Sequence, residues 1–516
     1  MTTRSRAIPL ALGAAAILVL AGAVASVAPN SANPPAIVPT AHAAPVPPIT
    51  APAAVCDSPA LTGPASPPAG AVVVPPGSNA GFDFSTPNTT YWFAPGVHTL
   101  EAGEYSQIAP GAGATLLGGP GAVLDGNRDN RYAITGHAPN VTIRYLTIRN
   151  FMAPRDEGVV NHDSGDGWVV EHNTLTRNRG AALMAGARNR IAGNCLKDNG
   201  QYGLNAYQSG NRITGLVVEG NGVTGNNTED WESKLPGCGC TGGAKFWAVN
   251  GADIRNNWIH DNRGTGLWAD TNNNDFLIES NLIEGNDGSA IFYEISYNVV
   301  IRNNTLRNNT WGTGREFAGE RDPFPVGAIY LSEADGDARI PARTAKIEVT
   351  GNLLENNWGG VVGWANSDRF CNSTASTTSD CTLIVGPENT SVCSPPAISR
   401  QPLYTDCRWW TSNLDIHGNT FRFDPAAVAG GCPVAFCGRM ALLTNFGSSP
   451  DWSPYQGDTI QRPTVFAAGN RWHDNTYTGP WQFTVPDMST TVPAAHWTAA
   501  PYDQDAGSTF DGRPAG

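Results

Sequence analysis

Two carboxylic acids, Asp270 and Glu294, close two stretches of matching pattern, Gly266-Leu267-Trp268-Ala269-Asp270 and Ala290-Ile291-Phe292-Tyr293-Glu294, 24 residues apart. If both stretches are strands stacked in register, the acids stand one strand spacing apart, with carboxyls about 5 Å from each other. That separation suits a retaining glycoside hydrolase, in which one carboxylate attacks the sugar and the other moves a proton. An inverting enzyme needs roughly 6.5–9.5 Å to admit water. Like charges this close raise one of the two pKa values, preparing an acid beside an anion. Lys245 falls one repeat before Asp270, where an ammonium would keep the neighbouring carboxylate ionised.

The same alternation runs through Gly203-Leu204-Asn205-Ala206-Tyr207, Gly243-Ala244-Lys245-Phe246-Trp247 and Ala328-Ile329-Tyr330-Leu331-Ser332. A period of two turns Leu204, Ala244, Leu267, Ile291 and Ile329 inward and leaves two outward columns. One reads Asn205, Lys245, Trp268, Phe292, Tyr330, and the other Tyr207, Trp247, Asp270, Glu294, Ser332. Exposed aromatic rings in register with carboxylates gain nothing from a merely solvated sheet, whereas flat rings beside hydrogen-bonding groups suit sugars. Trp268, Trp247, Phe292 and Tyr330, with Asn205 and Tyr207, are the expected substrate contacts. Two stacked acids can equally be ordinary surface residues, or share a Ca²⁺ through oxygen ligands. His162, Asp163 and Asp166 sit in a glycine-containing corner and read as turn residues. Glu229, Asp230, Glu232 and Lys234 lie in a loop that could overhang the cleft. None of the nine histidines repeats with metal spacing, and there is no GxSxG or P-loop.

What must hold these residues is a repeat. The pattern Asn-x-apolar-x-x-Asn recurs with asparagines at 173/178, 194/199, 221/226, 257/262, 281/286, 304/309, 352/357 and 470/475. Uninterrupted copies are 21, 24 and 23 residues apart, the length of one solenoid coil. Stacking copies one strand spacing apart lets asparagine amides bond in ladders at the corners, whose left-handed conformation asparagine tolerates. Leu175, Leu196, Val223, Ile259, Ile283, Leu306 and Leu354 then stack as core. A leucine-rich repeat would need an L-x-x-L-x-L frame, which is missing. The expected fold is all-β, a right-handed parallel β-helix with long loop insertions. Regular coils run over 114–364, with weaker ones near 414–421 and 465–483, and residues 77–113 cap the N-terminal end. Coils 221–257, 304–352, 352–419 and 419–470 exceed the basal repeat, so their excess must leave as loops walling a cleft.

The chain ends and the charge bound the partners. Arg4 and Arg6 precede an apolar run over 8–27 and small-residue sites such as Ala41-His42-Ala43, the layout of a signal peptide spanning 1–43. Residues 44–76 read as a Pro/Ala-rich linker. Residues 1–43 carry two arginines and no acid, so the remainder sets 30 cations against 45 anions, a balance of −15. That repels nucleic acid. Ten cysteines, six of them between 371 and 437, suit disulfides formed in an oxidising compartment. The expectation is a secreted monomer with no membrane contact after cleavage and no cofactor.

The segment Gly266-Leu267-Trp268-Ala269-Asp270 followed by Ile291-Phe292-Tyr293-Glu294-Ile295-Ser296 resembles the G-[IL]-W-x-D … E motif of β-helix glycoside hydrolases of the β-xylosidase family. The resemblance implies Asp270 as nucleophile and Glu294 as acid/base, and covers residues 266–296. The remaining chain resembles actinobacterial-type β-helix repeat proteins, without that family's larger accompanying domain. The expected function is therefore retaining hydrolysis of a cell-wall or plant polysaccharide. The alternatives are a polysaccharide lyase or epimerase with Lys245 as base and Ca²⁺ between the acids, and a non-catalytic glycan-binding surface protein. Fold alone does not choose among them.

Overall fold

The computed structural model describes residues 55–513 except 209, 211, 241, 367–368, 373–380, 434 and 445–461. The expected signal peptide and the linker as far as residue 54 lie outside the described residues.

Strands of mostly three or four residues recur in triplets, such as Val169–Glu171, Thr174–Thr176 and Ala181–Met184. The members of each triplet join three different sheets, of 13, 14 and 11 strands among the described residues, in which neighbours come from successive coils. Pairing is parallel throughout the coils, and one antiparallel pair, Phe483 with Val492, closes the third sheet. Side chains pointing inward stack rung on rung: Leu175, Leu196, Val223, Ile259, Ile283, Leu306 and Leu354 are all buried and in register along the second sheet.

The corners are held by amides. In Asn173, Asn194, Asn221, Asn257, Asn281, Asn304, Asn352, Asn419 and Asn475, each backbone N–H and side-chain amide donates to Oδ1 of the next member at 2.9–3.1 Å. A second ladder runs through Asn178, Asn199, Asn226, Asn262, Asn286, Asn309 and Asn357. These buried groups thereby meet the requirement that polar atoms removed from water be paired.

The ladders correct one repeat. Asn475 belongs to the first ladder, and Asn470 sits one corner earlier, accepting from the Leu414 N–H at 3.1 Å. A five-residue offset between asparagines fits any two consecutive corners flanking a three-residue strand, so the pattern does not record its own phase. Asn419 is the ladder member the pattern missed, because Asp424 stands where a second asparagine would.

The N-terminal region also differs from expectation. Val72–Val74 and Thr90–Phe93 belong to the first sheet, and Gly77–Ser78 and Gly96–Thr99 to the second. The stretch 77–113 therefore contributes coils rather than a cap, and it escaped notice because its corners lack the asparagine signature. Residues 55–71, expected within the linker, instead lie along the flank. Cys56 is disulfide-bonded to Cys195, Asp57 pairs with Lys197 at 2.9 Å, and Gly63 packs so closely that an added Cβ would stand 1.9 Å from the Gly118 carbonyl oxygen.

The insertions flank one sheet. Segments 225–243, 308–328 and 423–438 enter the third sheet, and 333–346 and 366–413 leave it. Among the described residues no cysteine is free. Cys238–Cys240, Cys371–Cys381, Cys393–Cys407 and Cys432–Cys437 all staple these insertions. Among the described residues no helix is long and apolar enough to cross a membrane.

Candidate active site

The third sheet stacks Asn205, Lys245, Trp268, Phe292 and Tyr330 on successive rungs, as the alternation requires. Asp270 follows the end of its strand, its N–H donating to the Phe246 carbonyl at 2.8 Å. Glu294 pairs in register with Ser332. Asp270 and Glu294 thus project from adjacent rungs at the leaving edge of the sheet.

Their surroundings differ. Asp270 Oδ2 lies 2.9 Å from Lys245 Nζ, and Oδ1 accepts from the Thr271 hydroxyl at 3.0 Å. The ammonium also donates to the Gly239 carbonyl at 2.9 Å and lies 4.1 Å over the Trp268 ring, within cation–π range. Glu294 Oε2 accepts from the Trp268 indole N–H at 3.2 Å. Its Oε1 meets Arg369 Nη1 at 3.1 Å, and the same Nη1 lies 3.2 Å from Glu333 Oε2.

Burial, then the charge of Asp270, pushes the Glu294 carboxyl up to about 7, against the pull of Arg369. Burial opposes the charge on Lys245, but Asp270 and Tyr202 more than offset it and hold the ammonium above its ordinary range. A carboxyl that burial makes readier to hold a proton, beside a carboxylate bound to an ammonium, is the arrangement that acid/base chemistry with a nucleophile needs.

The roof over Lys245 is the loop expected to overhang the cleft. At Gly239 (φ +62°) an added Cβ would come within 2.9 Å of Trp268 and 3.2 Å of Lys245 Nζ, so a side chain there would press on both. The charges of the loop are taken up locally: Glu229 pairs with Lys234 at 2.8 Å and with Arg179 of the coil at 3.5 Å, and Glu232 accepts from the Gly237 and Gly239 N–H groups.

The aromatic column is not a row of open faces. Trp268 and Phe292 stack at 4.9 Å and 15°, and Phe292 meets Tyr330 at 4.6 Å and 31°. A strand spacing brings consecutive rings into contact, so their faces cover one another and their edges are what remains for a ligand. Asn205 is buried and donates its amide to the Asp156 carbonyl at 3.2 Å, which turns it away from solvent. Tyr207 is 46% exposed and lies edge-on to Trp247 at 6.0 Å. The His162 corner is a turn: Asn161 and Ser164 adopt positive φ, Asp163 accepts from the Thr135 hydroxyl at 2.8 Å, and Asp166 pairs with Arg188.

Arg369 and Glu333 were not foreseen. Arg369 arrives from the insertion 366–413, which carries no period. Glu333 had a faint signal, since it follows Ser332, which pairs in register with Glu294 from the next rung.

A family profile described as "Right handed beta helix region" matches residues 220–333, and one described as "Periplasmic copper-binding protein (NosD)" matches residues 101–238. No curated protein matches by sequence. Similar solved structures include the A-module of a mannuronan C-5 epimerase from Azotobacter vinelandii (15% identity, 58% of this chain and 83% of that chain, TM-score 0.41). XylC in complex with xylose is another (13%, 56% and 52%, 0.28). A third is the catalytic unit of an α-1,3-glucanase from Streptomyces thermodiastaticus (12%, 61% and 60%, 0.26). Among the described residues the one group of three or more His, Cys, Asp or Glu side chains near enough to share an ion is Cys371, Cys381 and Cys393, and disulfides consume those sulfurs. With the sheet order, the first profile makes the chain a right-handed parallel β-helix.

Proposed function

We propose that the chain is an extracellular glycoside hydrolase that acts with retention on a polysaccharide or oligosaccharide of uncharged sugars. The observation that carries the reading is the pair of carboxyls on adjacent rungs with different partners, Asp270 on an ammonium and Glu294 on an indole N–H and on a guanidinium that it shares with Glu333. Asp270 attacks the anomeric carbon while Glu294 protonates the departing glycosidic oxygen. In the second half Glu294 takes a proton from water, which displaces Asp270 and restores both groups. The edges of Trp268, Phe292 and Tyr330, with Trp247 and Tyr207 beyond, border the sugar site.

Two features weigh against a lyase or epimerase. Lys245 is held as the charged ammonium by Asp270, which spoils it as a base. Both cations at the acids, Lys245 and Arg369, are already neutralised by protein carboxylates, leaving neither to pair with the carboxylate of a uronate. Five disulfides among the described residues suit a location outside the cytoplasm.

The test is reducing-sugar release from a panel of neutral and uronic-acid polysaccharides by the intact chain and by folded Asp270→Asn and Glu294→Gln variants. Release from a neutral glycan, reduced by roughly 10²–10⁴-fold in Glu294→Gln and at least as much in Asp270→Asn, is expected. Unchanged release in both variants, or an ultraviolet-absorbing unsaturated product from a uronate, would overturn the reading. Binding without turnover would leave a glycan-binding protein.

A further inference from the structure

Glu333 is completely buried and sits at φ 46°, a left-handed conformation that glutamate adopts only when its surroundings impose it. Its carboxylate accepts from the Ser332 hydroxyl at 2.7 Å, from the Asn366 N–H and from Arg369. A buried carboxylate is costly without such compensation, so Glu333 fixes where the guanidinium must be. That place is beside Glu294 Oε1. Two residues on, Cys371 is tied to Cys381, and its N–H donates to the Cys407 carbonyl at 2.7 Å, anchoring the segment that brings Arg369 in.

We propose that Arg369, delivered by the stapled insertion and braced on Glu333, is a positioning residue that holds the Glu294 carboxyl in place and governs when it carries its proton. The inference rests on Glu294 being the acid of the proposed hydrolase. The charged and titratable groups facing Glu294 are Asp270, with its partner Lys245, on the preceding rungs, Tyr330 on the next, and Glu333 and Arg369. Of these, Arg369 favours the anion of Glu294, while Asp270 and Glu333 oppose it.

The two removals therefore act in opposite directions. Arg369→Gln takes away the cation, and Glu294 holds its proton to higher pH. Glu333→Gln takes away an anion and leaves Arg369 wholly to Glu294, which then releases its proton at lower pH.

The experiment is a ¹³C-carboxyl NMR titration of glutamate-labelled full chain, with the Glu294 signal assigned by its loss in Glu294→Gln, alongside the alkaline limb of the pH–rate profile. Arg369→Gln should raise the Glu294 midpoint by about one unit or more, and Glu333→Gln should lower it. If Arg369→Gln strands Glu333 and fails to fold, the Arg369→Gln, Glu333→Gln double variant must titrate above Glu333→Gln alone. Midpoints that stay put, or move the same way in both single variants, would sink the proposal. The titration needs no turnover. Shifts as expected in a chain that cleaves no glycan would therefore remove the hydrolase reading and leave the role of Arg369 standing.

Discussion

Lys245 and Asp270 are each about one-tenth exposed in their side chains and face each other at 2.9 Å. Removing one member of such a pair leaves a buried charge without its partner, a loss of about 3–5 kcal/mol, whereas replacing both is often near neutral. Lys245→Met should accordingly destabilise the chain by that amount in guanidinium unfolding, and adding Asp270→Asn should restore most of it. A double variant no more stable than Lys245→Met would show that the ion pair is not what holds the lysine. The Glu294 carboxyl makes a separate demand. As the acid of the first step it must be protonated, and its midpoint of about 7 means that turnover should fall as pH rises through neutrality. A rate flat to pH 9 would count against Glu294 in that role.

At the scale of the element, the corner ladders carry the coils. Asn257 is completely buried. It donates to Val218 and Asn281 and accepts from Asn221, so Asn257→Ala orphans several groups at once. Each buried group left unsatisfied costs about 1–3 kcal/mol, and a loss at the upper end of that range or beyond is expected in equilibrium unfolding. A corner on the leaving side of the third sheet carries a different load. Burial pushes the Asp335 carboxyl up to about 7, the Ser412 hydroxyl opposes this and Asp337 adds to it. Because the folded chain holds this proton more tightly than the unfolded chain, Asp335 penalises folding above pH 7. The penalty is relieved as pH falls from about 7 through about 4. Asp335→Asn should therefore narrow the rise in thermal midpoint between pH 7.5 and pH 5, and an unchanged rise in the variant would refute the assignment.

At the scale of the molecule, each coil of a solenoid touches only its neighbours, so stability is close to a sum of rungs and interfaces. The Cys56–Cys195 bond breaks that rule. It joins residues 139 apart in sequence and ties the strap at 55–71 across several coils. In the chain-entropy picture a closed loop of this length is worth up to about 5 kcal/mol. Replacing both cysteines by serine should lower the thermal midpoint by several degrees, most visibly through exchange of amides in the first coils. Uniform exchange across all coils would mean that the strap does not act locally. The insertions concentrate on the two edges of one sheet, and that sheet carries the acids. The molecule therefore elaborates one face of an otherwise regular coil.

The asparagine period alone determined the coil, and the coil determined the register. A solenoid turns distance along the sequence into height along an axis, so residues in the same phase become neighbours. That is why the sequence alone places Lys245, then Trp268 with Asp270, then Phe292 with Glu294 on three successive rungs. Phase was weaker where the pattern is ambiguous, as at Asn470 and Asn475, and absent where asparagine gives way to other corners, as over 77–113. The tertiary structure decided everything that arrives without a period. It placed Arg369 on Glu294 and Glu333, laid Gly239 over Lys245, turned the aromatic faces onto one another, and bound Cys56 to a coil 139 residues away. An insertion has no repeat to fix its height or direction. Only the packing of its own side chains decides which rung it reaches.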